Sequence, residues 1–193
     1  MQAFNRYRAR LSWAYDHPPI WDEGWKWYDI ARERLARAVD GINLSVYRLA
    51  GVAAHLSPLT PWERNMEGAE RLAELYGSRA PHGTLLGTAE RSTVYNTHAE
   101  RAVKYLTGND FVKPSGPKTG PFQENLAGNF KPVTIDSHMC DVVDTFGLSS
   151  LTGNARRSMT RAVHMCATLY GIPPAKAQAI IWTVQRENLG PAR

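Results

Sequence analysis

An amine and a carboxylate stand 18 residues apart in this chain, Lys118 and Asp136, each at the expected start of a helix. Lys118 follows the turn sequence K-P-S-G-P, residues 113–117, and Asp136 follows the stretch N-F-K-P-V-T-I, residues 129–135. A lysine is a nucleophile only as the neutral amine. A dry pocket and the positive end of its own helix would both favour that form of Lys118. The same helix-start position has the opposite effect on Asp136, because backbone N–H groups stabilise the anion. Such a pair suits attack on a carbon that develops positive charge. The carboxylate stabilises that charge and helps take the proton from the attacking amine. The product of amine attack is a Schiff base.

Other residue types carry less. His138 lies two positions after Asp136, but no second His or Cys stands at ligand spacing, so it reads as structural and no metal site is expected. Cys140 and Cys166 are the two cysteines, too few for a disulfide framework, an iron–sulfur cluster or a cysteine-only zinc site. No cofactor is implied. Leu59, between Pro58 and Thr60-Pro61, fits either a wedge that fills a gap in a base stack or a buried loop anchor. Trp21, Trp25, Trp27 and Tyr28 read as core, as do Gln178 and Trp182. The sets Arg6/Arg8/Arg10 and Arg156/Arg157/Arg161 read as solvated faces.

The elements that must position these residues are helical. Hydrophobic residues form 43% of the 193, enough for a core. Helical spacing predicts helices over 21–40, 44–55 with Asn43 as cap, 61–76, 94–106, 118–127, 137–146 with Asp136 as cap, 154–170 and 175–187. Gly128 is expected to stop the fifth of these in the left-handed region, and Gly147 to stop the sixth. On 154–170, Met159, Val163, Cys166 and Leu169 or Tyr170 share one face. The Gly/Ser/Pro-rich run 77–92 is expected to be a loop. The class is all-α. The net charge of +5 and pI of about 9.4 favour a polyanionic partner. No apolar run approaches the roughly 20 residues of a membrane span, and no signal core follows the basic start. A soluble, cytoplasmic protein with reduced thiols is expected.

Three blocks, in order, resemble the HhH-GPD superfamily of DNA glycosylases, of the endonuclease III type. Y-N-T-H-A-E-R-A, residues 95–102, is similar to that family's Y-N-S-K-A-E block; G-P-K-T, 116–119, to the end of its hairpin motif; and V-T-I-D-S-H, 133–138, to its V-D-T-H block. A-H-L-S-P-L-T-P, 54–61, and A-Q-A-I-I-W, 177–182, are weaker matches. The resemblance implies a helix-hairpin-helix glycosylase architecture of two helical lobes, 1–42 with 131–193 and 43–130, with a central cleft holding Lys118 and Asp136. It implies a monomer that acts on duplex DNA, nucleoid or viral, and excises a damaged or modified base flipped from the stack. Lys118 would form the Schiff base and cleave the strand as an AP lyase, and Asp136 would help break the glycosidic bond. Ser115, Gly116 and Thr119 would hold a phosphate at the hairpin, with Leu59 and His138 as further DNA contacts. The chain departs from the family at Pro114, where the hairpin's first glycine would stand, so the hairpin near 112–119 is degenerate. Tyr95 to Lys118 is about one helix short, and the family's cluster-binding cysteine run is missing. Two other readings share these residues: an enzyme of the same fold that joins an amine to a modified thymine, and a non-catalytic DNA-binding module.

Overall fold

The computed structural model describes residues 2–143 and 152–187. Among the described residues all regular structure is helical. The helices are α1 (Gln2–Tyr15), α2 (Pro18–Ala38), α3 (Val46–Leu56), α4 (Trp62–Gly77), α5 (His82–Ser92), α6 (Asn96–Leu106), α7 (Thr119–Leu126), α8 (Ser137–Val142), α9 (Gly153–Tyr170) and α10 (Pro174–Arg186), with a 3-10 turn at Asp110–Val112.

The chain divides into two units. One takes both ends, up to Asp29 and from Asn129 onward; the other is Ile30–Gly128. The sequence reading sets these borders at 42 and 130. The first border falls inside α2 because the two parts of that helix pack differently. Gly24, Tyr28 and Asp29 engage α10 through Ile180, Gln178 and Lys176. Arg34, one turn on, ties instead to Glu63 (2.7 Å) and Glu70 (2.9 Å) of α4.

In the terminal unit, α1, α9 and α10 share one core. Tyr7, Leu11 and Ala14, a helical stripe, pack with Met159, Val163, Cys166, Ile180 and Val184. Each fully buried Leu, Ile or Met contributes on the order of 2 kcal/mol by removal from water. α1 was not foreseen from its basic start, and Arg10 corrects the solvated reading of that set. It is buried and donates to Gln185 (3.4 Å). On α9, Tyr170 joins the core while Leu169 is exposed. Thr152 caps α9 by accepting from Ala155 N–H (3.2 Å), and Gly171 ends it at φ 65°. α8 ends at Val142, short of the expected Phe146; Phe146 and its expected stop, Gly147, lie outside the described residues.

In the middle unit α3 is the central helix, buried from Leu49 to Leu56 and packed on α4, α6 and α7. A Cβ on Gly51 would collide with the Tyr105 ring, so the glycine sets how closely α3 and α6 approach. The cap of α3 is Ser45, which accepts from Arg48 N–H (3.1 Å), and not Asn43. The largest departure is α5, which occupies the run expected to be a loop. Its Leu85, Thr88, Ala89 and Ser92 are buried, and it packs on α4 and α6. Burial of that face outweighs the poor helix propensity of Gly83, Thr84 and Gly87.

Candidate functional site

In the middle unit, Lys118 is the N-cap residue of α7. Its carbonyl accepts from Phe122 N–H (3.0 Å), and its Nζ lies 5.9 Å from the Phe122 ring centre. Phe122 meets Trp62 edge-on at 6.4 Å. Gly128 follows α7 at φ 98°, as its expected left-handed stop. The turn ahead of Lys118 is pinned at its entry. His55 Nε2 bonds the Val112 carbonyl (2.7 Å), and the Lys113 ammonium lies 5.1 Å from the Tyr47 ring centre. Pro114 is buried, Ser115 is exposed, and Gly116 O accepts from Gly120 N–H (2.9 Å). Among the described residues no acceptor takes the backbone N–H of Ser115, Gly116 or Thr119. Three donors at the head of a helix are a physical anion cradle, although Pro114 and Pro117 contribute none. In place of a full helix before the turn stands only the 3-10 turn Asp110–Val112.

Two histidines flank this region. His55 is buried and its basicity is depressed to a pKa of about 4, first by burial and further by His98 and Arg101, against an opposing hydrogen bond to Val112. His98, in the first turn of α6, is shifted down by burial, Arg101 and Lys118, and its buried Nδ1 has no hydrogen-bond partner. Tyr95 stacks obliquely on His98 at 5.7 Å. His98, Val94, Tyr95 and Phe111 were not singled out from the sequence. The last three are exposed apolar residues beside loops, and exposure has no local sequence signal.

Leu59 is 71% exposed at φ 55°, which excludes the buried-anchor reading. Its loop is held by Thr60 N–H to Ser57 O (3.3 Å) and Ser57 Oγ to Ala54 O (2.9 Å). The loop thus presents a large apolar side chain to solvent.

In the terminal unit, Asp136 caps α8, its Oδ1 accepting from Met139 N–H (3.0 Å). Its charge contributes to the upward shift of the Tyr7 and Tyr28 phenols, whose main cause is burial. His138 meets Trp182 edge-on at 5.6 Å. Gln178 accepts from the buried Tyr28 hydroxyl (2.8 Å), and Trp27 packs on Tyr28 and Trp182. Both cysteines are buried thiols, and burial raises Cys166 to about 11. Among the described residues no His, Cys, Asp and Glu cluster could hold a metal, and no helix is long and apolar enough to cross a membrane.

These features define an all-helical protein with an amine and a carboxylate at two helix starts. The chain belongs to the family of unknown function DUF7178, whose pattern matches residues 7–189. No curated protein and no solved structure matches it.

Proposed function

We propose that this chain is a DNA N-glycosylase with AP lyase activity, acting on a damaged or modified base through a Schiff base on Lys118. The observation that carries the reading is the position of Lys118 at the head of α7, directly after a turn with free N–H groups at Ser115 and Gly116. The three HhH-GPD-like sequence blocks support it. In this chemistry the neutral Lys118 Nζ bonds to the sugar C1′ as the bond from C1′ to the base breaks. The electron pair leaves with the base, which is protonated. Asp136, whose cap bond to Met139 favours the ionised form, stabilises the positive sugar and accepts the proton lost by the amine. The nitrogen lone pair then closes the C=N bond as the C1′–O4′ bond breaks and O4′ takes a proton. Loss of a C2′ proton from this Schiff base expels the 3′ phosphate and cuts the strand. Ser115, Gly116 and Thr119 N–H groups hold a backbone phosphate, and Leu59 fills the gap left by the extruded base. His138, two residues after Asp136, is a further DNA contact in this reading.

Borohydride trapping on a panel of labelled duplexes, including an abasic site, tests this. The wild type should give a covalent adduct that Lys118→Ala abolishes. Asp136→Asn should lower the trapping rate by about 10²–10³-fold without loss of fold, because asparagine caps a helix nearly as well as aspartate. An adduct that survives Lys118→Ala overturns the assignment of the amine. No adduct on any duplex, with binding intact, favours the base-modifying relative (an intact strand carrying heavier bases) or a binding module.

A further inference from the structure

We propose that the pocket between α4 and α5 is a phosphate-binding site with Arg64, Arg71 and Arg91 as its cationic walls. The pocket has a volume of about 350 Å³ and lies wholly in the middle unit. Lys118 is not among its lining residues. Arg64 and Arg71 stand seven residues apart on α4, two turns along one face. Arg91 comes from the last turn of α5. Against these three guanidinium groups the lining holds one carboxylate, Glu67.

The partners of the arginines leave most of that charge uncompensated. Arg64 Nε and Nη2 both donate to the Arg91 carbonyl, at 3.0 and 2.5 Å. Arg91 Nη2 donates to Thr88 Oγ1 (3.3 Å). Both acceptors are neutral, and among the described residues neither arginine pairs with a carboxylate. Arg71 alone has such a partner, Glu74 at 2.5 Å. Capping the C-terminal end of α5 accounts for Arg64; it gives no reason for Arg71 or Arg91 to face the same space. Guanidinium groups match phosphate oxygens in geometry and charge, which relieves the mutual repulsion of three cations.

The remaining wall is made for the same chemistry. Thr84, Thr88 and Ser92 repeat every four residues along α5 and line the pocket, with the Ser92 hydroxyl donating to the Thr88 carbonyl (2.7 Å). The spacing of the two helices is fixed by Gly68, where a Cβ would collide with Ser92. The volume sits at the lower end of small-molecule sites and exceeds that of a bare phosphate. Two sources can supply the group, the backbone of a DNA strand or the phosphate of a free nucleotide. The inference does not rest on the chemistry assigned to Lys118 and Asp136.

The experiment compares the full chain with the double variant Arg71→Gln/Arg91→Gln, folding being checked by circular dichroism. Arg64 is left in place because it caps α5. Calorimetric titration with thymidine 5′-monophosphate tests the nucleotide source. Titration of a 12-base-pair duplex over a range of salt concentrations tests the backbone source. A nucleotide ligand should bind one to one and weaken by at least about tenfold in the variant, the duplex salt slope staying unchanged. A backbone phosphate should show in the duplex alone, the slope of log K against log salt falling by about one in the variant. A folded double variant that alters neither nucleotide binding nor the duplex slope overturns the site. The borohydride adduct is compared between wild type and Lys118→Ala, and this site between wild type and the double variant, so the failure of either reading is separately visible.

Discussion

At the scale of single residues, the informative side chains are those whose local conformation has a cost. Leu59 sits at φ 55°, a region that costs a non-glycine residue roughly 1 kcal/mol, and its exposed side chain returns little of that by burial. Local stability therefore does not explain a leucine here, whereas the proposed insertion into a base stack would. Leu59→Gly relieves the backbone at the expense of chain entropy, so stability to urea should stay within about 0.5 kcal/mol of wild type. Excision, or fluorescence of a reporter base opposite the lesion, should fall by about tenfold or more, a loss of stack-filling contact of about 1.4 kcal/mol. A large drop in stability with unchanged activity per folded molecule would make Leu59 a loop residue only. Lys118 and Asp136 were legible in the sequence because helix-start chemistry is local, readable from a turn or an extended stretch followed by periodic apolar residues. The arginine pocket was not, since Arg91 lies in a Gly/Ser/Pro-rich run whose composition predicts a loop and its meeting with Arg64 is a tertiary fact.

Among elements, contact between backbones decides the packing. An added Cβ on Gly24 would lie 2.5 Å from Ile180 Cα, a backbone atom that no rotamer change can move. Gly24→Ala must therefore displace α2 from α10. That strains the adjoining Tyr28–Gln178 bond (2.8 Å) and the Asp29–Lys176 pair (2.6 Å), whose lysine is 3% exposed. The expected cost is about 1–3 kcal/mol, read as a lower urea midpoint at unchanged m-value; an unchanged midpoint would mean that the helices tolerate a wider spacing. Periodicity made most helices visible, and α3, α4, α6, α9 and α10 lie within a few residues of expectation. It failed where the buried face was short and built of small or polar residues, as in α5 with Thr88, Ala89 and Ser92. It failed again where arginines masked a three-residue apolar stripe, as in α1. In both, neighbouring helices supply the stabilisation that the segment's own composition does not signal.

For the whole molecule, the two units should answer acid differently. His55 and His98, the histidines whose basicity is lowered by burial, both belong to Ile30–Gly128. A histidine with a folded-state pKa below its unfolded value binds fewer protons when folded. Its contribution to stability is complete above pH 6.5 and is lost as the pH falls toward the folded pKa. For His55 the window runs from 6.5 down to about 4, and the full loss is about 3 kcal/mol. Arg101 lies near both rings and Lys118 near His98, and these cations act in the same direction as burial. Hydrogen exchange followed from pH 7 to 4.5, corrected for intrinsic rates, should show falling protection in α3, α6 and α7. Protection in α9 and α10 should stay level over that range, which lies above the usual titration of most carboxylates. His55→Gln should flatten the dependence in the middle unit, since glutamine can still donate to Val112 and carries no proton equilibrium. Parallel loss of protection in both units, or a pH dependence that His55→Gln leaves intact, would show that buried histidine does not set the acid limit of this fold.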